Sequence, residues 1–138
     1  MEYKAYYVEE NDGVFSSSIK ELEIPEPNDG ELLVSVSYSS LNYKDALCAK
    51  GVKGVAAFYP FVPGIDAVGT VAKSKSDEFK EGDKVICSGY KLGMNVNGGF
   101  GSCICVPSDW VVPLPTSMSD FEAMSYGVAG LTSAACIK

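Results

Sequence analysis

The segment that most limits the fold runs from Glu31 to Ser40. Leu32, Val34, Val36 and Tyr38 fall on one face of an extended chain there, and Leu33, Ser35, Ser37 and Ser39 on the other. A period of two with one apolar face is the pattern of a half-buried strand. The strand delivers Asn42 and Tyr43 at its far end.

Other stretches supply partners for it. Lys4 to Val8 and Ser16 to Ile24 read as strands on either side of a charged turn, Glu9 to Gly13. Pro25, Pro27, Asn28, Asp29 and Gly30 then break regularity. A turn at Pro63-Gly64 leads into a strand that ends near Ala72. Gly69 within it marks a close backbone approach or a bulge. A tight turn over residues 79–84 feeds another strand. Phe100 to Val106 and Trp110 to Leu114 are two more, and Pro107, Pro113 and Pro115 confine them to sheet edges or ends.

Helical signals are fewer. Asp45 to Lys50 suits a short helix with Gly51 as its stop. Ser119 and Glu122 form a capping box for a helix through Tyr126. Gly127 and Gly130 interrupt it, and Leu131 to Ile137 restart the pattern. The glycine-rich stretch from Gly89 to Gly101 reads as a flexible surface loop, because its glycines match neither a phosphate-binding loop nor a dinucleotide fingerprint. The fold class expected from these elements is mainly β: a small barrel or sandwich with appended short helices.

Composition narrows the function. A chain of 138 residues holds one ordinary domain. All 11 basic residues are lysines against 18 acidic ones, giving a net charge of -7, so a nucleic-acid partner is not expected. Without arginine the usual bidentate phosphate clamp is missing. No apolar run has the length of a membrane span, and the start lacks a basic region followed by an apolar core. No membrane partner and a cytoplasmic location are expected. The five cysteines, Cys48, Cys87, Cys103, Cys105 and Cys136, are odd in number and irregularly spaced, which fits buried reduced thiols better than a disulfide framework. With no histidine in the chain, the Cys103–Cys105 pair is expected in the core and not on a metal.

The run Asn42-Tyr43-Lys44-Asp45 puts an amide, a phenol, an ammonium and a carboxylate at the start of a helix. Free N–H groups and the helix dipole make such a start a natural place for a phosphate-bearing or electron-rich ligand.

Four segments carry a resemblance: Ser39 to Asp45, Val62 to Gly69, Phe79 to Val85 and Gly127-Val128-Ala129-Gly130-Leu131-Thr132. Asn97-Gly98-Gly99 before the Cys103–Cys105 strand and residues 109–115 add to them. In this order they resemble the N-terminal, GroES-like catalytic domain of the medium-chain dehydrogenase/reductase superfamily. Within it, they look like the zinc-free quinone-oxidoreductase branch and its acryloyl-CoA reductase (YhdH/YhfP-like) group. The resemblance implies a GroES-like partial β-barrel over residues 1–126. Residues 127–138 then begin the connection to a Rossmann NADP-binding domain that this chain does not contain. It further implies a homodimer for the full-length enzyme, a small-molecule substrate, and NADP(H) bound mainly by the other domain. Zinc-dependent relatives carry a cysteine where this chain has Asn42 and a histidine where it has Ile65, so no zinc is expected.

By the same resemblance, Asn42 and Tyr43 are the candidate catalytic residues and line the nicotinamide end of the cofactor cleft, with Thr132 near the cofactor. Lys44, Asp66 and Asn97 are candidates for substrate binding. Each has a plainer reading. Tyr43 can anchor a strand-to-helix junction. Asn42 can cap the helix, and Asp45 is expected to do so. Lys44 can be solvated. Asp66 can bind local backbone amides and shape its turn. Asn97 can sit in a surface turn, and Thr132 can bond its own helix backbone.

The implied function is a zinc-independent, NADPH-dependent reduction of the C=C bond of an activated carbonyl compound such as acryloyl-CoA, with this fragment inactive alone. A quinone reductase of the same fold and a non-enzymatic GroES-like binding module are the alternatives.

Overall fold

The computed structural model describes residues 1–52, 54–56 and 58–137. The expected end of the connecting segment at Lys138 lies outside the described residues.

Among the described residues, seven strands form two antiparallel sheets. β1 (Glu2–Asn11) and β2 (Val14–Glu23) make a two-stranded hairpin. The charged stretch from Glu9 to Asn11 belongs to the strand, and the turn is only Asp12-Gly13. Both turn residues have positive φ, 51° and 79°, which suits a two-residue hairpin loop. The second sheet has the order β6-β3-β4-β5-β7, with β3 at Glu31–Tyr38, β4 at Asp66–Ser74, β5 at Lys84–Ser88, β6 at Cys103–Pro107 and β7 at Val111–Pro113. The two proline-bounded strands are its edges, as the sequence requires.

The hairpin closes against this sheet through the main chain. Val8 exchanges both backbone hydrogen bonds with Phe61, at 2.9 and 3.1 Å, and Tyr6 donates to the Phe100 carbonyl at 2.8 Å. The result is a curled half-barrel with two helices, the GroES-like class.

Leu32 and Val34 are buried in the main core with Val71, Val85, Ile104 and Val106. Each such side chain contributes roughly 1.5–3 kcal/mol by leaving water. Leu33, on the opposite face of β3, packs against a second cluster with Tyr3, Val62 and Cys103. The alternation fades at the end: Tyr38 is exposed, beyond a register shift between Val36 and Tyr38. It meets Phe121 edge-on at 5.9 Å instead of a core. Gly69 lies opposite, and a Cβ on it would come 2.0 Å from the Ser35 carbonyl oxygen, so the expected close approach is real.

α1 (Tyr43–Ala49) ends at Gly51, whose φ of 70° permits the closing pair of hydrogen bonds, Gly51 N–H to Cys48 and Val52 N–H to Leu47. α2 (Asp120–Cys136) starts on Ser119 and Glu122, which cap each other. It breaks once, at Gly127, where φ is 51° and ψ -158°. Gly130 does not interrupt it; the helix resumes three residues earlier than the glycine spacing suggests. Ala123 and Met124 of its first half bury against Val68, whereas the second half is mostly exposed.

The stretch from Gly89 to Gly101 is not the flexible surface loop expected. Leu92, Gly93, Gly98, Gly99 and Gly101 are buried. Gly99 donates to Gly64, Phe100 to Pro63 and Gly98 to Val62, so the stretch packs closely against the Pro63-Gly64 turn through its backbone. The cysteines also divide. Cys48, Cys87 and Cys103 are buried, Cys105 is half-buried, and Cys136 is exposed on the second half of α2.

Candidate active site

The crossing from β3 to α1 is pinned at both of its serines. Ser39 Oγ donates to the Asp66 carbonyl at 2.6 Å, and Ser40 Oγ donates to the Met124 carbonyl at 2.5 Å. The Asn42–Asp45 run is thereby fixed against β4 and α2. Asn42 stands at the N-cap in extended conformation. Asn42 and Asp45 face each other in a capping box, with the Asp45 N–H giving its hydrogen bond to the Asn42 carbonyl at 3.1 Å and not to the side chain. Asp45 does the capping, as expected, with Oδ2 accepting the Asn42 N–H at 2.8 Å. Its Oδ1 accepts from Gly64 and Ile65 at 3.2 and 3.1 Å. Asp45 is buried. Burial pushes its carboxyl above the usual carboxylate range, while the hydrogen bonds from Asn42, Ile65 and Gly64 pull the other way.

This corrects one expectation. The positive end of α1 is already filled by the chain's own carboxylate, so it does not offer a place for a phosphate.

Asp66 corrects a second. It is fully buried, and its amide partner is not local. Both carboxylate oxygens accept from Val128 N–H at 3.1 Å, 62 residues away, and Oδ2 also accepts from Asn42 Nδ2 at 2.8 Å. Asp66 thus caps the second half of α2, just past the break at Gly127. That break needs glycine: a Cβ there would come 2.5 Å from Ser40 Oγ and 2.7 Å from Asp66 Oδ2. The charge of Asp66 is felt nearby. Burial first, and then Asp66, push the Cys87 thiol up to about 12, which keeps it protonated and unreactive.

The structure therefore brings Asn42, Asp45 and Asp66 together with Ser39, Ser40, Gly127 and Val128. Tyr43 follows directly and is 80% exposed, beside an equally exposed Leu41. Its phenol has no hydrogen-bond partner among the described residues. Lys44 is exposed and makes no ion pair among them. Thr132 spends its hydroxyl proton on the Val128 carbonyl at 2.8 Å, the plainer of its two readings. Asn97 lies apart from this group. Its Oδ1 accepts the Val62 N–H at 3.0 Å, and it lines a different hollow with Tyr3, Tyr7 and Pro60.

Sequence reasoning missed the serines as struts, and it placed the break of α2 at Gly127 and Gly130 where Gly127 alone provides it. Ser39 and Ser40 are chemically ordinary, and only their distant carbonyl partners give them a role. It also missed a hollow of about 520 Å³ between α1 and the hairpin, lined by Tyr6, Ser17, Leu41, Ala46, Lys50 and Phe100.

The arrangement can be compared with known proteins. Residues 28–116 match the alcohol dehydrogenase GroES-like domain. YhfP of Bacillus subtilis (strain 168), which carries the name of a quinone oxidoreductase, is 43% identical over 96% of this chain and 40% of its own length. Its crystal structure with NAD bound superposes with a TM-score of 0.93 at 39% identity, covering 99% of this chain and 42% of that one. Acrylyl-CoA reductase AcuI of Ruegeria pomeroyi is 40% identical over 91% of this chain and 38% of its own length. The YhdH oxidoreductase of Salmonella enterica in complex with NADP gives a TM-score of 0.91 at 38% identity, with 97% of this chain and 41% of that one covered. The chain thus spans about two fifths of the length of these relatives. With its half-barrel, its glycine-broken α2 and the Asn42–Asp66 junction between them, the chain belongs to the alcohol dehydrogenase GroES-like domain family, with relatives in the quinone-oxidoreductase and acrylyl-CoA-reductase group of the medium-chain dehydrogenase/reductases.

Proposed function

We propose that this chain is the substrate-side domain, residues 1–126 with a connector beginning at 127, of a zinc-independent NADPH-dependent reductase of activated C=C bonds. Acryloyl-CoA is the proposed type of substrate. The observation that carries the reading is the Asn42–Asp66–Val128 junction. At Asn42, where zinc-dependent relatives carry a cysteine, it has an amide already committed to the Asp66 carboxylate. Ile65, at the other ligand position, is a buried hydrocarbon that cannot coordinate an ion.

The residues present fit the nicotinamide end of a cofactor and not its phosphates. Both helix starts in the junction are occupied by carboxylates, Asp45 and Asp66, which repel phosphate. The half-buried Asn42 amide, the exposed Tyr43 phenol and the Thr132 oxygen lone pairs fit a carboxamide or a ribose. A bound NADPH supplies hydride to the β-carbon of the alkene, and negative charge gathers on the carbonyl oxygen. Tyr43 is the proposed donor to that oxygen, because its O–H is uncommitted among the described residues whereas the Asn42 amide is held by the Asp66 carboxylate. Lys44 lies one residue on and can attract an acidic substrate. Asn97 is tied to the barrel wall and is left out of the proposed site.

A quinone substrate is the second reading. The missing arginine and the filled helix starts give the anionic arm of a CoA ester little to hold on this domain. The complete enzyme is proposed to be a cytoplasmic homodimer. Among the described residues no helix is long and apolar enough to cross a membrane.

The test uses the protein from the complete reading frame. NADPH consumption with acryloyl-CoA but not with a simple quinone supports the first reading, and the reverse supports the second. No consumption with either overturns both and leaves a binding module. The 138-residue chain alone should be inert.

A further inference from the structure

The Asn42 side chain meets one buried carboxylate. Its Nδ2 donates to Asp66 Oδ2 at 2.8 Å, while the Asp45 carboxylate takes the Asn42 main-chain N–H. A carboxylate only accepts, so Asp66 selects the NH₂ end of the amide. The carbonyl end faces the Asp45 N–H in the capping box of α1, but that N–H gives its hydrogen bond to the Asn42 main chain, so Oδ1 keeps a lone pair for a ligand. Asn42 is half-buried, so this oxygen has access to a ligand. Asp66 cannot turn away, because Val128 N–H holds both of its oxygens.

We propose that Asp66 is a positioning residue that fixes the Asn42 amide with Oδ1 presented as an acceptor. Asn42 then receives a donor from its ligand, such as the NH₂ of a carboxamide, and does not itself donate to the substrate oxygen. The ligand part rests on the function proposed above, whereas the amide orientation does not. Because one carboxylate serves Asn42 and Val128 together, the presented oxygen and the pivot of α2 are mechanically linked.

Nuclear magnetic resonance of the ¹⁵N-labelled chain tests the orientation without any activity. The two Asn42 side-chain amide protons should be distinct from those of exposed asparagines. In Asp66→Asn they should move, and exchange of the Val128 N–H should quicken about tenfold or more, as expected for losing a hydrogen bond to a charged group. Unmoved Asn42 resonances in a folded Asp66→Asn would overturn the proposal. If that variant does not fold, Asn42→Ala replaces it: faster exchange at Val128 supports the shared carboxylate, and unchanged exchange refutes it. In the protein from the complete reading frame, Asp66→Asn should raise the KM for NADPH more than it lowers kcat. An unchanged KM with less folded enzyme would mark Asp66 as structural only. Absence of any NADPH-dependent activity in the wild type would sink the proposed function, while the resonance data would still decide the orientation.

Discussion

The Asp45 carboxylate accepts the Ile65 N–H at 3.1 Å across twenty positions of sequence, while its other oxygen holds Asn42 at 2.8 Å. One side chain therefore fastens the start of α1 to the turn that feeds β4. Asp45→Ala would leave three N–H groups without their acceptor. The expected loss is about 3 kcal/mol, since each buried orphan costs roughly 1–3 kcal/mol. Urea unfolding measures it, and a loss under about 1 kcal/mol would contradict the role.

The same residue predicts a pH dependence. Burial raises the folded pKa of Asp45 above its unfolded value. The folded state then binds more protons in the interval between the two, so this group's contribution to stability falls as pH rises from about 4 through the folded pKa, and is flat above it. Glu26, Asp120 and Glu122 have lowered pKa values, set first by hydrogen bonds to Lys73, Lys84 and Ser119, and act in the opposite sense. The difference between wild type and Asp45→Asn isolates the first effect. It should change with pH across the weakly acidic range; a constant difference would count against it.

Gly127→Ala and Gly82→Ala form a contrasting pair. Both glycines have positive φ, but a Cβ at position 82 meets nothing within 4 Å, whereas one at 127 meets Ser40 and Asp66. Gly82→Ala should cost about 1 kcal/mol of backbone strain. Gly127→Ala should cost about 2 kcal/mol or more in addition, and should speed exchange at Val128. Equal losses in thermal unfolding would mean that the contact at Gly127 relaxes freely.

Gly69→Ala tests the sheet. Its Cβ would fall 2.0 Å from the Ser35 carbonyl, a backbone atom held by β3 pairing. The expected penalty is about 3 kcal/mol or more. A midpoint in urea close to that of the wild type would show that β3 and β4 separate easily there.

Tyr43→Phe should leave stability within about 0.5 kcal/mol, because the ring is largely exposed and its hydroxyl has no partner among the described residues. In the protein from the complete reading frame it should lower kcat by about tenfold or more if the phenol assists at the carbonyl oxygen. Wild-type turnover in Tyr43→Phe would remove that role.

Local signals carried much of the fold. The alternation of Leu32 and Val34 and the Ser119–Glu122 box act within a few residues and have their expected counterparts, whereas the turn expected over Glu9 to Gly13 shrinks to Asp12-Gly13. Pro107 and Pro113 even placed β6 and β7 at the edges. What local pattern could not carry was the long-range pairing. Asp66 reads equally as a substrate candidate or a turn-shaping residue until its partner at Val128 is known. Tyr38 reads as core until the register shift takes it past the sheet. Gly130 reads as a helix breaker, although its backbone stays helical and Gly127 alone takes the bend. The Asn42–Asp45 run was legible as a helix start, but not that its electrostatic need is met from within.

The buried glycine stretch carries a different lesson. A Cβ on Gly93 would lie 2.6 Å from the Gly64 carbonyl oxygen, and one on Gly98 2.3 Å from the same atom. Loops usually accept sequence drift more readily than the elements they join. Here the order is reversed: a saturation screen should find residues 93–99 less permissive than the exposed second half of α2. The instruction in this loop is written as missing side chains, and its geometry leaves less room to spell it another way than the exposed helix surface does.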